Sequence, residues 1–332
     1  MINYGFWKKL KKPIFALAPM AGVTDAAFRF MIAKYGKPDV MWTEFVACDG
    51  LCSQGKDALL RDLQYDKKER PIVAQVFGAT PEHFYQTALL MQELGFDGID
   101  INMGCPDKNI QKQNAGAKLI QSPKLAQAII TETKRGAGKL PVSVKTRIGY
   151  TKNTLDEWLP YILETEPAAI TIHGRTKKEM SDVPAHWDVI AHGVALTEQY
   201  YGGKDRPFVL GNGDVQTLEE AFDKVRQYGV DGVMVGRGMF GNPWFFADKD
   251  KAKKRGSVVT TEILLQEKIA ALLEHTELFE QFFGMGNRFD VMKKHYKAYI
   301  HGFDGARELR AKLMASRDKN DVTNTLRKEG YL

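Results

Sequence analysis

Cysteine is scarce in this chain: Cys48, Cys52 and Cys105 are its three thiols in 332 residues. So few cannot build a disulfide framework, and their scarcity points to a reducing compartment. Cys48 and Cys52 have three residues between them and no second pair to complete a zinc site, so ordinary loop thiols and no metal are expected. Long apolar runs are also missing. None approaches the ~20 residues needed to cross a bilayer, so no membrane partner is expected. One segment imitates a secretory signal, with Lys8, Lys9, Lys11 and Lys12 ahead of Ala16-Leu17-Ala18. Pro13, Pro19 and Gly22 interrupt it, and a cytoplasmic protein is expected.

What is present suits a large enzyme. A hydrophobic content of 44% with 11% aromatic residues allows a sizeable core, and the length accommodates two domains. Short β-branched and apolar runs alternate with longer amphipathic stretches, the pattern of parallel βα units. Eight such runs end near Pro19, Glu44, Phe77, Asn102, Thr146, His173, Asn212 and Gly236. Thr80-Pro81 and Ser122-Pro123 place proline at a first helical position. Thr217-Leu218-Glu219-Glu220 has capping-box spacing, and Gly229 closes that helix. The pattern predicts an α/β chain: a (β/α)₈ barrel over residues 1–248, whose active site lies at the strand C-termini.

Those strand ends carry chemistry. They hold Pro19-Met20-Ala21, Gln75, Asn102, Lys145 with Arg147, His173 with Arg175, Asn212-Gly213-Asp214 and Gly236-Arg237. Cys105 lies just beyond one strand, between Gly104 and Pro106, where no regular ladder continues. A lone cysteine is more often a small buried hydrophobe, but one at a barrel mouth is placed for chemistry on a bound ligand.

These motifs resemble, in order, those of the tRNA-dihydrouridine synthases, a flavin-dependent barrel family with a helical C-terminal domain. The matching pieces are Pro19-Met20-Ala21-Gly22-Val23-Thr24-Asp25, Asn102-Met103-Gly104-Cys105-Pro106, Lys145-Thr146-Arg147, Thr171-Ile172-His173-Gly174-Arg175-Thr176, Asn212-Gly213-Asp214 and Gly236-Arg237, with a weaker match at Met292-Lys293-Lys294-His295-Tyr296. The resemblance implies tightly bound FMN, reduced by NADPH, passing hydride to C6 of a tRNA uracil while Cys105 protonates C5. It implies that Met20, flanked by Pro19 and Ala21, packs on the flavin, that Gln75 bonds its ring, and that Lys145 and His173 neutralise and orient it. Asn102 would hold the uracil edge, with Arg147 and Arg175 near substrate or cofactor charge. Asn114 departs from the family, which usually places glycine there, and Lys118 replaces a small residue. Asparagine tolerates left-handed backbone, so this loop is expected to keep its shape.

Gly236-Arg237-Gly238-Met239-Phe240-Gly241 fits G-x-G-x-x-G but follows the last strand instead of opening a βαβ unit, which argues against a dinucleotide domain. The loops after barrel strands seven and eight commonly hold a phosphate. That makes Asn212, Gly213, Asp214, Gly236 and Arg237 a phosphate site for a mononucleotide such as FMN. After a polar linker, 249–260, a small all-helical domain is expected over 261–332. The chain carries +6 overall, and Arg288 to Lys328 holds eleven basic against five acidic residues, the whole surplus. There Lys293, Lys294 and Lys297 interleave with His295, Tyr296, Tyr299, His301 and Phe303. The interleaving suits phosphate contacts plus base stacking on tRNA; a solvated helix face with Tyr and Phe in the core competes with this, and the barrel's motifs tip the reading to RNA binding. A monomer is expected. Two alternatives stand beside this reading: a flavin barrel acting on a free pyrimidine, and a non-catalytic RNA-binding protein.

Overall fold

The computed structural model describes residues 1–284 and 289–332. Eight parallel strands run β1 (Ile14–Leu17), β2 (Met41–Ala47), β3 (Ile72–Phe77), β4 (Gly98–Met103), β5 (Val142–Arg147), β6 (Ala169–His173), β7 (Phe208–Asn212) and β8 (Gly232–Val235). Their order is β1-β8-β7-β6-β5-β4-β3-β2, and an Ala16–Val40 bridge closes the ring, with the Leu17 N–H donating to the Val40 carbonyl at 3.1 Å. The expected (β/α)₈ barrel is therefore present.

The two-residue period of a strand decides which side chains enter it. Ile99, Ile101 and Met103 of β4, like Val142 and Val144 of β5, pack outward in the main core against the helices. Alternation turns Asp100, Asn102, Ser143, Lys145 and Arg147 inward, and the register pairs Gln75 with Asp100, Asn102 with Lys145, Arg147 with His173 and His173 with Asn212. Where the strands begin, Tyr4, Trp7, Trp42 and Leu210 fill the barrel. Trp7 stands just ahead of the lysines of the segment that imitates a signal, and the apolar run of that segment is β1.

Helix punctuation follows the expected residues. Pro81 and Pro123 open Pro81–Glu93 and Pro123–Ala137, Thr217 Oγ1 accepts from the Glu220 N–H at 3.1 Å, and Gly229 closes Leu218–Tyr228 in the left-handed region. The stretch expected to be a linker differs. Its first seven residues form the helix Lys249–Arg255, because Lys249 and Lys253, one turn apart, both reach the Asp39 carboxylate, at 3.4 and 2.7 Å. Four further helices follow, Leu265–Phe283, Asp290–Tyr299, Ala306–Leu313 and Lys319–Lys328. Their core takes in Ala27 and Met31 of the first barrel helix, Ala26–Tyr35, which seats them beside the β1 and β2 end of the barrel wall.

Candidate active site

Just past β4, Asn102 shapes the turn that carries Cys105. Its Oδ1 accepts from the N–H groups of Gly104 (3.1 Å) and Cys105 (2.9 Å), a side-chain turn of the kind asparagine favours. Its Nδ2 donates to Gln75 Oε1 at 2.9 Å, Gln75 Nε2 donates to Asp100 Oδ2 at 2.7 Å, and Ser143 Oγ donates to Asp100 Oδ1 at 2.5 Å. Asn102 and Gln75, expected to hold the uracil edge and the flavin ring, thus spend most of their capacity on a buried relay under the cysteine turn. Each keeps one amide N–H.

The turn is clamped from two more sides. Arg147 Nε donates to the Gly104 carbonyl at 2.6 Å, and the Cys105 carbonyl accepts from the Ala117 N–H (3.0 Å) and from Gln111 Nε2 (2.8 Å). Asn114 has φ 56° and Gly116 φ 62°, the left-handed backbone that asparagine was expected to tolerate. A Cβ on Gly116 would stand 2.8 Å from the Cys105 carbonyl, so glycine is needed where this loop closes. Burial pushes the Cys105 thiol up, and the Asp107 N–H, Arg147 and Lys145 do not offset it. The thiol is therefore a protonated acid at neutral pH.

Beside it, a cavity of about 230 Å³ opens among the ends of β1 and β5 to β8. Ala18, Pro19 and Met20 wall one side, while Ala21 is exposed and outside the lining. Lys145, Arg147, His173, Arg175 and Arg237 face Asp214, the one carboxylate in the lining. Lys145 Nζ donates to Asn212 Oδ1 at 3.2 Å, and Asn212 Nδ2 donates to the Met234 carbonyl at 2.8 Å. Burial, reinforced by Arg147, lowers Lys145 to about 8, so it is charged at neutral pH.

Burial and the charges of Arg147, Lys145, Arg175 and Arg237 hold His173 well below its ordinary value, so it is neutral among these cations. Arg175 Nη1 lies 3.3 Å from its Nε2, which assigns the acceptor role to Nε2 and the proton to Nδ1. Arg175 is itself spent: Nε donates to the Val183 carbonyl and Nη2 to Asp214. Asp214 also accepts from the Ala185 N–H at 2.8 Å and from Arg237 at 3.3 Å. Burial alone would raise Asp214, but these partners outweigh it and lower the carboxyl. Asp214, expected to touch the cofactor, lines the cavity and also aims two arginines.

The donor set suits an anion with a flat polar ring. Gly213 has φ 132°, and a Cβ there would stand 2.6 Å from the Ala185 methyl; one on Gly236 would meet Met20 Sδ at 3.3 Å. Bare backbone therefore lines the end nearest the exposed Arg237. Lys145 supplies a checkable pH dependence. Flavin affinity should be level below pH 8 and fall as pH rises through about 8, with proton uptake on binding above that pH. Titration calorimetry in buffers of different ionisation heat measures the uptake, and Lys145→Met should abolish it.

The C-terminal residues divide. Lys293 pairs with Asp290 at 2.6 Å, Lys294 Nζ donates to the Gly22 carbonyl at 2.6 Å, and Lys297 is exposed. His295, Tyr296 and Tyr299, expected to stack on bases, are fully buried, and Phe303 packs on Tyr331 with ring centroids 5.8 Å apart. These rings build the helical core, and none of the three buried ones is free to stack. Arg288 lies outside the described residues.

The family model for dihydrouridine synthases matches residues 16–331. The chain belongs to the dihydrouridine synthase family. It is 39% identical over 320 residues to "Probable tRNA-dihydrouridine synthase 2" of Bacillus subtilis (strain 168), covering 96% of this chain and 94% of that protein. It is 38% identical over 312 residues to "Probable tRNA-dihydrouridine synthase" of Staphylococcus aureus (strain MRSA252), covering 93% and 90%. Among solved structures it resembles histamine dehydrogenase from Rhizobium sp. 4-9 (TM-score 0.53, 11% identity, 80% of this chain and 48% of that one). A 2-naphthoyl-CoA reductase complex is similar (TM-score 0.54, 11% identity, 73% and 50%). This chain spans about half of each, and the likeness is one of fold.

Three functional groups of this dihydrouridine synthase family member went unread in the sequence. Asp100 and Ser143 anchor the relay, Gln111 holds the Cys105 carbonyl, and Ser181 and Gln216 line the cavity. Asp100 left a signal: a charged residue inside an otherwise apolar strand needs a partner. Cys48 is buried and Cys52 donates to the His83 carbonyl at 3.7 Å, as plain loop thiols do; among the described residues no acidic, histidine and cysteine cluster suits a metal.

Proposed function

We propose that the chain is a tRNA-dihydrouridine synthase that binds FMN in the cationic cavity, draws on NADPH, and reduces the C5–C6 bond of specific tRNA uridines. The observation that carries this is the pairing of one protonated thiol, Cys105, with a cavity lined by Lys145, Arg147 and Arg237 at the same barrel mouth. Free cysteines elsewhere in the chain have no such neighbours.

Lys145 and Asn212 would hold the polar edge of the ring, Met20 its face, and Gly213, Gly236 and Arg237 the phosphate, through backbone approach and charge. Bound there, FMN supplies the hydride that a protein side chain cannot, delivered to uracil C6. Cys105 Sγ gives its proton to C5; the Asn102 turn and the Arg147 clamp fix the sulfur, and burial keeps it protonated. Asn102 keeps one amide N–H, with which it would orient the substrate edge. The absence of any helix long and apolar enough to span a membrane among the described residues fits an enzyme working on RNA in solution.

Purified protein should be yellow, and heat should release FMN in a one-to-one ratio. Chromatography of the released flavin decides it. FAD, or no flavin from a folded protein, would remove the cofactor from the proposal. Arg237→Ala should weaken retention by roughly ten- to a hundredfold, the range for a charge-assisted hydrogen bond.

A further inference from the structure

A groove of about 640 Å³ lies on the barrel rim outside the cationic cavity, bounded by Tyr150, Lys152, Trp158 and Tyr161 among others. Tyr150 stands in the loop after β5, and two lysines from neighbouring loops flank its ring. Lys118, from the loop after β4, has its Nζ 5.4 Å from the ring centroid; Lys177, from the loop after β6, lies at 5.3 Å. The Lys177 N–H donates to the Gly149 carbonyl at 3.0 Å and the Lys178 N–H to the Tyr150 carbonyl at 2.9 Å, so the loops are tied together. None of Lys118, Lys152, Lys177 and Lys178 has a carboxylate within ion-pair distance among the described residues. Glu157 is the acid of the lining.

The Tyr150 ring also reaches the reaction centre. Its hydroxyl donates to Gln111 Oε1 at 2.8 Å, and Gln111 Nε2 holds the Cys105 carbonyl. In the ring of strands β5 lies opposite β1, so this rim faces, across the mouth, the Gly22 loop on which Lys294 sits. Unpaired cations from three loops, two of them over the Tyr150 ring that borders the groove and bonds the Gln111 side chain holding Cys105, match a polyanion running past the mouth.

We infer that the Lys118–Tyr150–Lys177 rim is a second contact for the phosphate backbone of the RNA substrate, which is gripped from both sides of the barrel mouth. The inference rests on the tRNA reading above. Phosphate contacts release condensed counterions, so each contributes about 0.7–0.9 to the slope of log K against log[salt]. In the holoenzyme, Lys118→Ala with Lys177→Ala should weaken binding of an unmodified tRNA transcript and flatten that slope by roughly 1.4–1.8 units. Flavin content should not change. Lys118→Arg with Lys177→Arg, which keeps both charges, should hold the wild-type slope. Lys224→Ala, a lysine over Trp187 and Tyr228 on the outer helix Leu218–Tyr228, should also leave it alone. A wild-type slope in the folded, flavin-loaded alanine pair overturns the inference, and so does an equal loss in the arginine pair. Wild-type protein that neither binds nor reduces tRNA overturns the functional reading itself, and this inference with it.

Discussion

Cys105→Ala retains FMN and tRNA binding and reduces uridine about 10²–10⁴-fold more slowly, the usual effect of losing a general acid. The expectation comes from where the sulfur sits. Its turn is built by Asn102, clamped by Arg147 and closed by the Gly116 loop, all through groups other than the thiol. Removing the sulfur therefore leaves the mouth in shape and takes away only a proton donor. Flavin reduction by NADPH without tRNA should continue at its normal rate, because no proton from Cys105 enters that half-reaction. Single-turnover conversion of a tRNA transcript, followed against the flavin absorbance, separates the steps. An alanine variant that reduces tRNA at the wild-type rate would assign the proton to water or to another side chain.

Arg29→Met should lower stability by about 3–5 kcal/mol, the range for stripping one partner from a buried ion pair. Arg29 and Glu69 are both fully buried and meet at 2.6 Å. The guanidinium also donates to the Thr24 carbonyl (2.7 Å) and the Gln64 carbonyl (2.5 Å), so methionine would strand a carboxylate and two carbonyls. Thr24 Oγ1 in turn accepts from the Met20 N–H at 2.9 Å, so the loss would loosen the wall of the cavity and reduce flavin retention as well. Burial already raises Glu69, with Arg29 opposing it. Without Arg29 that carboxyl takes up a proton more readily, so the deficit should shrink as pH falls toward the acid range. Urea unfolding at pH 7 and at pH 5 measures both effects. A deficit under about 1 kcal/mol at pH 7 would mean the pair is dispensable.

The barrel was legible because buried parallel strands announce themselves. Each apolar run is short, β-branched and ended by a turn residue, and its two-residue period already turned Gln75, Asn102, Lys145, His173 and Asn212 to one side. Strand ends moved slightly for local reasons. β1 stops at Leu17, ahead of Pro19, and β2 runs past Glu44 to Ala47. Burial was not legible, and burial decides charge. The resemblance implies that His173 neutralises the flavin, and the sequence does not show that arginines and a lysine surround the ring and hold it neutral. Asp214 reads as a ligand, and its pairing with Arg175 and Arg237 left no signal in the sequence. The basic C-terminal stretch misled for a further reason. Met292, His295, Tyr296 and Tyr299 recur at helical spacing, which marks a core stripe, and their alternation with lysines disguised it. The Lys118–Tyr150–Lys177 rim joins three loops far apart in the chain, so no local motif could reveal it.

The central claim is that this mouth reduces uridine in tRNA. Holoenzyme should be incubated with NADPH and an unmodified tRNA transcript, and the RNA digested for nucleoside mass spectrometry. The account predicts dihydrouridine at a defined position, formed by the wild-type protein and almost absent with Cys105→Ala. Flavin-loaded, folded enzyme that oxidises NADPH yet leaves every uridine of its tRNA unreduced would contradict it.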